Sequence, residues 1–393
     1  MKRLLRISFN SAIFSLIPIL SWFMLGLLVD KNLVNVFTLT YPLQFIWALM
    51  KSIFATGANI SKEKDKNENA VLSGMTLGII VGFVVFGIFA INVKKYVEFM
   101  NMDYDTYKEF AVYSILQLYI HLIFSSVLEK LYFENKEKLA NKYCMRFNLL
   151  NFVILILSSI ILKDKIQIVV TTLIAILIYT VYVTIKQYKK FKFQINILNC
   201  CKYESVEICN NTLFFLIFLF GLSNALKFGE KYMLALITDT QWDSFEAIKT
   251  VAKIDISKEQ FYYKDHKVNA YKLLGILLTT VFIMIVVSFR YYNLDLKITA
   301  IYLSFELLNF VLYPVYSIKT CYLQLEKFEI KVTSNKLFAG ILRMIMSLLK
   351  TPYCTGIGQV TSSIYQFLTI NMMFHRNFRI DKNGMIIKNE NDL

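Results

Sequence analysis

The fold of this chain is decided by one charged stretch, KFGEKYMLALITDTQWDSFEAIKTVAKIDISKE, which runs from Lys227 to Glu259. Apolar runs lie on both sides of it, Thr212 to Leu222 before it and Ala270 to Phe289 after it. Charge at the edge of a membrane is costly unless it faces the interior of a helix bundle or a wet cavity. The stretch is therefore interpreted as a functional path between two membrane helices or, alternatively, as an ordinary loop outside the membrane.

The composition is that of an integral membrane protein. Of 393 residues, 56% are hydrophobic and 18% are charged, and the mean hydropathy is +0.50. A soluble domain of this length is less apolar. The run from Ile7 to Val29 follows the basic N-terminus directly and is long enough to remain as a spanning helix, so we expect no cleaved signal.

The net charge of +15 is explained by the membrane, without nucleic acid as a partner. Most basic residues fall in alternate loops, as the positive-inside rule predicts, with both termini in the cytoplasm. These basic regions are the N-terminus, 62–66, 130–146, 186–202, 253–267, 319–336 and the tail from Arg376. We expect a monomeric, multi-pass protein of the cell membrane whose partner is the lipid bilayer.

The six cysteines and three histidines contain no CxxC motif and no histidine pair, so we predict no metal site and no cofactor. His121 is the only histidine deep in an apolar segment, and no Asp is near it in sequence. Thr355 to Gly358 lacks the strand and helix that flank a phosphate-binding loop. We therefore do not expect an enzyme.

Apolar segments long enough to span a membrane occur eleven times. They are 7–29, 33–59, 70–93, 108–133, 143–162, 166–186, 207–238, 268–290, 295–323, 332–351 and 356–375. Within the charged stretch, residues 240–256 place apolar side chains at helical spacing. If this segment did not cross, every later basic loop would face outward. The charge bias therefore favours twelve membrane segments, the eighth of them shortened.

An internal repeat divides these segments into two groups. Ile60-Ser61-Lys62-Glu63 recurs as Ile256-Ser257-Lys258-Glu259, at an offset of 196 positions. The glycine of the following helix, Gly78, recurs at Gly275, and 134–142 resembles 326–336. We expect two parallel six-helix repeats, an architecture of transporters with the substrate path between the halves. The predicted division is 1–190, a linker at 191–204, 205–376, and a tail at 377–393.

Several polar residues lie deep enough in apolar segments to need partners or water. Glu306 lies in an apolar sequence, where a carboxylate can bind a cation or take up a proton; a structural ion pair with Arg343 or Lys231 is the alternative. Gly74, Gly78 and Gly82 are spaced by four residues, which predicts close helix packing within the bundle.

Four stretches carry a resemblance to a known family: Gly26 with 33–42 (LVNVFTLTYP), Gly57 with the polar loop after it, 100–103 (MNMD), and 132–136 (YFENK). With these the chain resembles the multidrug and toxic compound extrusion (MATE) transporters and the larger flippase superfamily that contains them. The resemblance implies an all-α bundle of two six-helix halves and export of organic cations or toxins by alternating access, driven by H⁺ or Na⁺. It implies coupling carboxylates at Glu230 and Glu306, although the acid of the first helix is replaced by Ser21.

Two functions remain open, with a third beside them. The first is a cation-coupled exporter that uses Glu230 and Glu306. The second is a flippase for lipid-linked oligosaccharide, in which basic residues hold phosphate. The third is a degenerate relative that transports nothing. The candidate cavity residues are Lys51, Lys231, Asp243, Glu246, Lys249 and Arg343.

Overall fold

The computed structural model describes residues 1–30, 35–100, 102–162, 164–188, 197–225, 246–292, 296–347, 349, 354–382 and 384–389. Their backbone is helical apart from turns and one small sheet. Helices satisfy their own backbone hydrogen bonds, which a lipid environment requires of any segment that crosses it. The predicted all-α class is confirmed.

The helices follow the chain in simple order. They are α1 (Lys2–Leu28), α2 (Asn35–Lys51), α3 (Ala58–Lys64), α4 (Ala70–Ile91), α5 (Val93–Phe99), α6 (Tyr104–Phe133), α7 (Glu137–Ile161), α8 (Lys165–Gln187), α9 (Ile197–Tyr203), α10 (Ser205–Ala225), α11 (246–257), α12 (Tyr263–Tyr292), α13 (Leu296–Leu323), α14 (Glu329–Ser347) and α15 (Cys354–Asn377). Short π-helical segments, Ser52–Gly57 and Gln324–Phe328, join α2 to α3 and α13 to α14.

Each of the eleven predicted apolar segments overlaps one of these helices. Among the described residues, four helices, α4, α6, α7 and α8, are long and apolar enough to cross a membrane by length and composition. The described part of segment 240–256 is helix α11. A crossing by α11 and a total of twelve spans stay predictions.

The helix ends have local causes in the sequence. Asp103 caps α6 by accepting from the Thr106 amide at 2.9 Å, and Asp164 caps α8 by accepting from the Ile166 amide at 2.9 Å. Positive φ angles terminate or interrupt helices elsewhere. The described non-glycine residues with positive φ are Lys66, Asn135, Glu259 and Lys327.

The chain divides into two compact units. The N-terminal unit is residues 13–223, and the C-terminal unit is residues 1–12 together with 224–393. Helix α1 thus belongs in part to each. The predicted bundle boundaries at 190 and 205 stay predictions.

The core of the N-terminal unit packs α6 against α2, α4 and α8, and α7 against α8. Phe124 of α6 stacks on Phe147 of α7 with ring centroids 4.4 Å apart. Helix α4 approaches the π-helical segment closely: a Cβ at Gly74 would lie 2.3 Å from the Phe54 carbonyl oxygen and 2.6 Å from the Ala58 Cβ. The predicted packing role of this glycine is confirmed.

Helix α9, inside the predicted linker 191–204, packs on the same unit. A Cβ at Gly57 would lie 2.8 Å from the Cys200 carbonyl oxygen, so the two backbones approach closely there. Beyond the end of α3, the Asp65 carboxylate accepts hydrogen bonds from Tyr203 at 2.5 Å, Ser61 at 2.7 Å and Asn199 at 3.2 Å. Partial burial by itself would raise the pKa of Asp65, but these donors outweigh it and hold that pKa below its usual value of 3.8.

In the C-terminal unit, α13 and α14 pack against α15. Arg3 binds Asp255 of α11 at 2.8 Å, and His266 of α12 lies 3.1 Å from the same carboxylate. The predicted tail contains an antiparallel hairpin, β1 (Phe378–Ile380) and β2 (Ile386–Lys388), with Arg379 opposite Ile387.

Gly74→Ala is expected to destabilise the protein by about 1–3 kcal/mol, because the new methyl group meets backbone that cannot move aside. Gly87→Ala is the matched control on the same helix, since nothing lies within 4 Å of its Cβ position. Thermal unfolding of both purified variants in detergent checks this. Equal unfolding temperatures for the two variants would contradict it.

Tyr203→Phe is expected to loosen α9, with amide hydrogen exchange across 197–203 rising up to about fivefold for a hydrogen bond of this exposure. Because the folded-state pKa of Asp65 is depressed, its contribution to stability is present above pH 3.8 and is lost as the pH falls through the lowered value. Exchange at pH 7 and near pH 3 measures both effects. In an Asp65→Asn background, which mimics protonation, Tyr203→Phe should change exchange much less.

Candidate functional site

The candidate site lies inside the C-terminal unit, at the start of α11. This helix is held by its apolar side, on which Ala247, Ile248, Ala252 and Ile254 are fully or almost fully buried. Its polar side carries Glu246 and Lys249. The spacing of three residues places these two side chains on one face of the helix.

Glu246 and Lys249 form an ion pair in which the Lys249 Nζ lies 2.6 Å from a Glu246 carboxylate oxygen. The Lys249 side chain is only 11% exposed, whereas that of Glu246 is 44% exposed. The hydroxyl of Tyr313, on α13, donates to the other carboxylate oxygen at 3.1 Å. A buried ammonium group requires such compensation, because its desolvation otherwise costs several kcal/mol.

Tyr316 links this pair to two further helices. It is buried on α13, its ring lies 5.5 Å from that of Tyr313, and its hydroxyl is hydrogen-bonded with Ser363 of α15. Lys249, Arg343 and Glu246 lie within electrostatic range of this hydroxyl. Three predicted site residues thus lie in the region of one buried tyrosine.

Arg343 lies four residues before the end of α14, whereas Ser363 lies nine residues from the start of α15, nearer the middle of that helix. The two helices pack tightly near Arg343, since a Cβ at Gly358 would lie 2.9 Å from the Arg343 carbonyl oxygen.

The charged side chains that the structure describes in the interior of the C-terminal unit are basic. They are Lys249, Lys253, Lys319 and Arg343. No Asp or Glu of this unit is buried among those same side chains. The Lys319 ammonium donates to Asn371 at 2.6 Å and lies 3.1 Å from the His375 ring nitrogen and 4.8 Å from the Phe374 ring.

The remaining predicted residues do not join this site. Lys51 lies in the N-terminal unit, where its ammonium binds Glu129 of α6 at 2.8 Å, and the Glu129 side chain is 3% exposed. Glu306 lies on α13, but its side chain is outside the described residues. Glu230, Lys231 and Asp243 also lie outside them.

Sequence reasoning missed Tyr313, Tyr316 and Ser363. Their signal was weak but present: two tyrosines at helical spacing on either side of Pro314, and a Ser362-Ser363 pair inside an apolar segment. Each pattern is common in membrane helices. Only the packing of α13 on α15 identifies these residues as part of the site.

Comparison with solved structures shows the fold. No protein-family model matches the sequence, and no curated protein matches it. The MATE multidrug transporter DinF-BH, solved in complex with R6G, superposes with a TM-score of 0.75 at 13% identity, over 98% of this chain and 96% of that one. The chain has the MATE fold.

Two other solved structures match over 95% of both chains. One is a multidrug resistance MATE transporter of the MOP superfamily in an outward-facing conformation, at a TM-score of 0.72 and 14% identity. The other is a MOP superfamily transporter from Pyrococcus furiosus, described as having a binding pocket of reverse polarity that suggests a different function, at 0.67 and 15%. The predicted resemblance is confirmed at the level of the fold.

Glu246→Gln is expected to destabilise the protein by about 1–3 kcal/mol, because it leaves the buried Lys249 ammonium without its carboxylate. The double variant Glu246→Gln, Lys249→Gln should recover part of this loss, since it removes both charges. Thermal unfolding in detergent measures the cycle. The control is Glu98→Gln, which breaks an exposed 3.9 Å pair with Lys94 and should change little. Equal losses for Glu246→Gln and Glu98→Gln would contradict the expectation.

Proposed function

We propose that this protein is a secondary transporter of the MATE type that works by alternating access. The MATE fold over nearly the whole chain supports this proposal. So do the buried polar and charged side chains near Tyr316, because such groups in the interior of a membrane helix bundle usually mark a substrate or ion path.

We further propose that the chain consists of two parallel six-helix repeats with twelve spans and cytoplasmic termini. The positive-φ residues support the repeat: Lys66 and Glu259 are 193 positions apart, and Asn135 and Lys327 are 192 apart. These offsets are close to the 196 of the repeated Ile-Ser-Lys-Glu sequence. Left-handed backbone at these helix ends supports the proposed repeat independently of sequence identity.

The buried basic residues of the C-terminal unit are the observation that favours one substrate class. Lys249 and Arg343 lie near Tyr316, and Glu246 is the acid that the structure describes at this site. Such a site binds anionic groups, and phosphate above all, through charge-assisted hydrogen bonds. The proposed substrate is therefore a phosphate-bearing amphiphile, in line with a flippase for lipid-linked oligosaccharide.

The half-exposed Glu246 has a role in this mechanism. Its carboxylate neutralises Lys249 while no substrate is bound. An incoming phosphate would displace that carboxylate and take over the same ammonium group. The Lys249 charge would then remain compensated both with and without bound substrate. Only a conformation that also places the phosphate beside Arg343 would gain free energy from binding. A ligand shifts a conformational equilibrium through such differential affinity.

An organic-cation exporter driven by H⁺ or Na⁺ is the second candidate. Two of the matched structures are multidrug MATE transporters, and one of them was solved with R6G. In this candidate Glu230 and Glu306 would couple transport to the ion. It requires an acidic path, and the acids that would form it lie outside the described side chains.

Transport in reconstituted vesicles separates the candidates. The first probe is a short polyprenyl diphosphate carrying a fluorescently labelled sugar, whose flipping is followed by chemical quenching in the outer leaflet. We expect flipping, reduced at least roughly tenfold by Lys249→Gln with Arg343→Gln, since each removes a charge-assisted contact. Lys94→Gln with Lys108→Gln, two exposed residues outside the site, is the control.

The second probe is rhodamine 6G under a pH or sodium gradient. Gradient-dependent movement that disappears in Glu230→Gln, Glu306→Gln would establish the exporter and overturn the anionic substrate. If neither probe moves, the proposal of a transporter fails and the degenerate relative is supported.

A further inference from the structure

One face of α12 forms an open basic groove at the end of the helix nearest the hairpin. Lys264, Lys267, Val268, Tyr271 and Lys272 line a shallow, open groove whose surface is formed almost wholly by apolar atoms, so the aliphatic parts of the lysine side chains line it rather than their ammonium groups. Lys267 and Val268 follow Lys264 by three and four positions, and Tyr271 and Lys272 follow Val268 by three and four, so all five share a single face of the helix. The opposite face is buried through Tyr263, Ala270, Leu273 and Leu274.

The groove carries positive charge without an acid among its lining residues. The nearest acid in sequence, Asp265, lines a different cavity, together with Arg3 and Asp255. Within the described residues, no ion pair joins Lys264, Lys267 or Lys272 to a carboxylate. Three ammonium groups on two turns of helix repel one another, so an anion placed between them would be stabilised.

The same face becomes apolar one turn further along. A Cβ at Gly275 would have nothing within 4 Å, and Ile276 beside it is 48% exposed. From Leu273 to Phe289 the helix contains no charged residue. The basic end of the face is thus followed by an exposed apolar residue and by a stretch of sequence without charge.

The hairpin of the tail packs at this end of α12. The Tyr263 amide donates to the Gly384 carbonyl at 3.0 Å, and a Cβ at Gly384 would lie 2.5 Å from the Lys264 Cβ. Gly384 has φ +83°, which a residue with a side chain adopts only with strain. The hairpin exposes Met385 and Ile387, which are apolar side chains suited to a lipid headgroup region.

We propose that this face binds an anionic phospholipid, with the phosphate held by Lys264, Lys267 and Lys272 and an acyl chain lying along Gly275 and Ile276. Basic residues beside a membrane helix attract anionic headgroups, and the groove provides a binding position for one such lipid. The lipid is favoured over a soluble phosphate compound because the basic part of the face is followed by an exposed apolar residue and a stretch without charge. This site is separate from the proposed transport site around Tyr316.

Native mass spectrometry of the full chain in neutral detergent, titrated with phosphatidylglycerol or phosphatidylcholine, tests the proposal. We expect one phosphatidylglycerol molecule to be retained in preference to phosphatidylcholine. Lys264→Gln, Lys267→Gln, Lys272→Gln should weaken its binding at least roughly tenfold. Gly275→Leu should also weaken it, without any change in charge, because it fills the space assigned to the acyl chain.

The control triple is Lys138→Gln, Lys142→Gln, Arg146→Gln, which removes the same charge from exposed positions of α7. Equal weakening by both triples, or no effect of Gly275→Leu, would show general surface charge and overturn the site. Displacement of the lipid by millimolar inorganic phosphate would identify a soluble phosphate site instead. Unfolding temperatures near that of the wild type show that each variant is folded.

Discussion

Backbone hydrogen bonding is the constraint on which this structure depends. In hydrocarbon, an unpaired amide or carbonyl costs several kcal/mol, so each apolar segment must satisfy its own backbone as a helix. Departures from α-helical geometry occur where another element compensates for them. The π-helical segment Ser52–Gly57 is almost wholly buried, and both α4 and α9 pack closely against its backbone. The positive-φ residue Lys327 lies in the turn between α13 and α14.

Buried charge is the second constraint, because each buried ammonium group needs a partner that compensates its desolvation. Lys249 is almost fully buried, whereas its partner Glu246 is nearly half exposed. An ion pair with one accessible member can exchange that member for a ligand without leaving the buried charge uncompensated. A pair buried on both sides could not do so. In the ion pair of Glu129 with Lys51, the Glu129 side chain is only 3% exposed and is the buried member. The accessible member of that pair is therefore the base, Lys51.

The sequence predicted the helices well because length and apolar composition are local properties. Segment 70–93 is α4 to within two residues, and 108–133 ends where α6 ends. The site was predicted only in part. Glu246, Lys249 and Arg343 stood out because charge is rare in apolar segments, but Tyr316 has no such signal. Its meaning depends on the packing of α13 against α15. The hairpin was missed for a similar reason: its strands are three residues long, and Gly384 gains its role only from contact with Lys264.

Among the side chains that the structure describes, the two units differ in the sign of the charge that they bury. The N-terminal unit buries the acids Glu129, Glu137, Glu204 and Glu207, whereas the described buried charges of the C-terminal unit are all basic. At the offset of 196 positions between the two Ile-Ser-Lys-Glu sequences, Lys249 and Lys253 align with Ile53 and Gly57. At the offset of 193 between Lys66 and Glu259 they align with Thr56 and Ile60. At either offset the aligned positions of the first unit are uncharged. Among the described side chains, buried positive charge without a buried acid is a property of the C-terminal unit, and the proposed anionic substrate rests on that property.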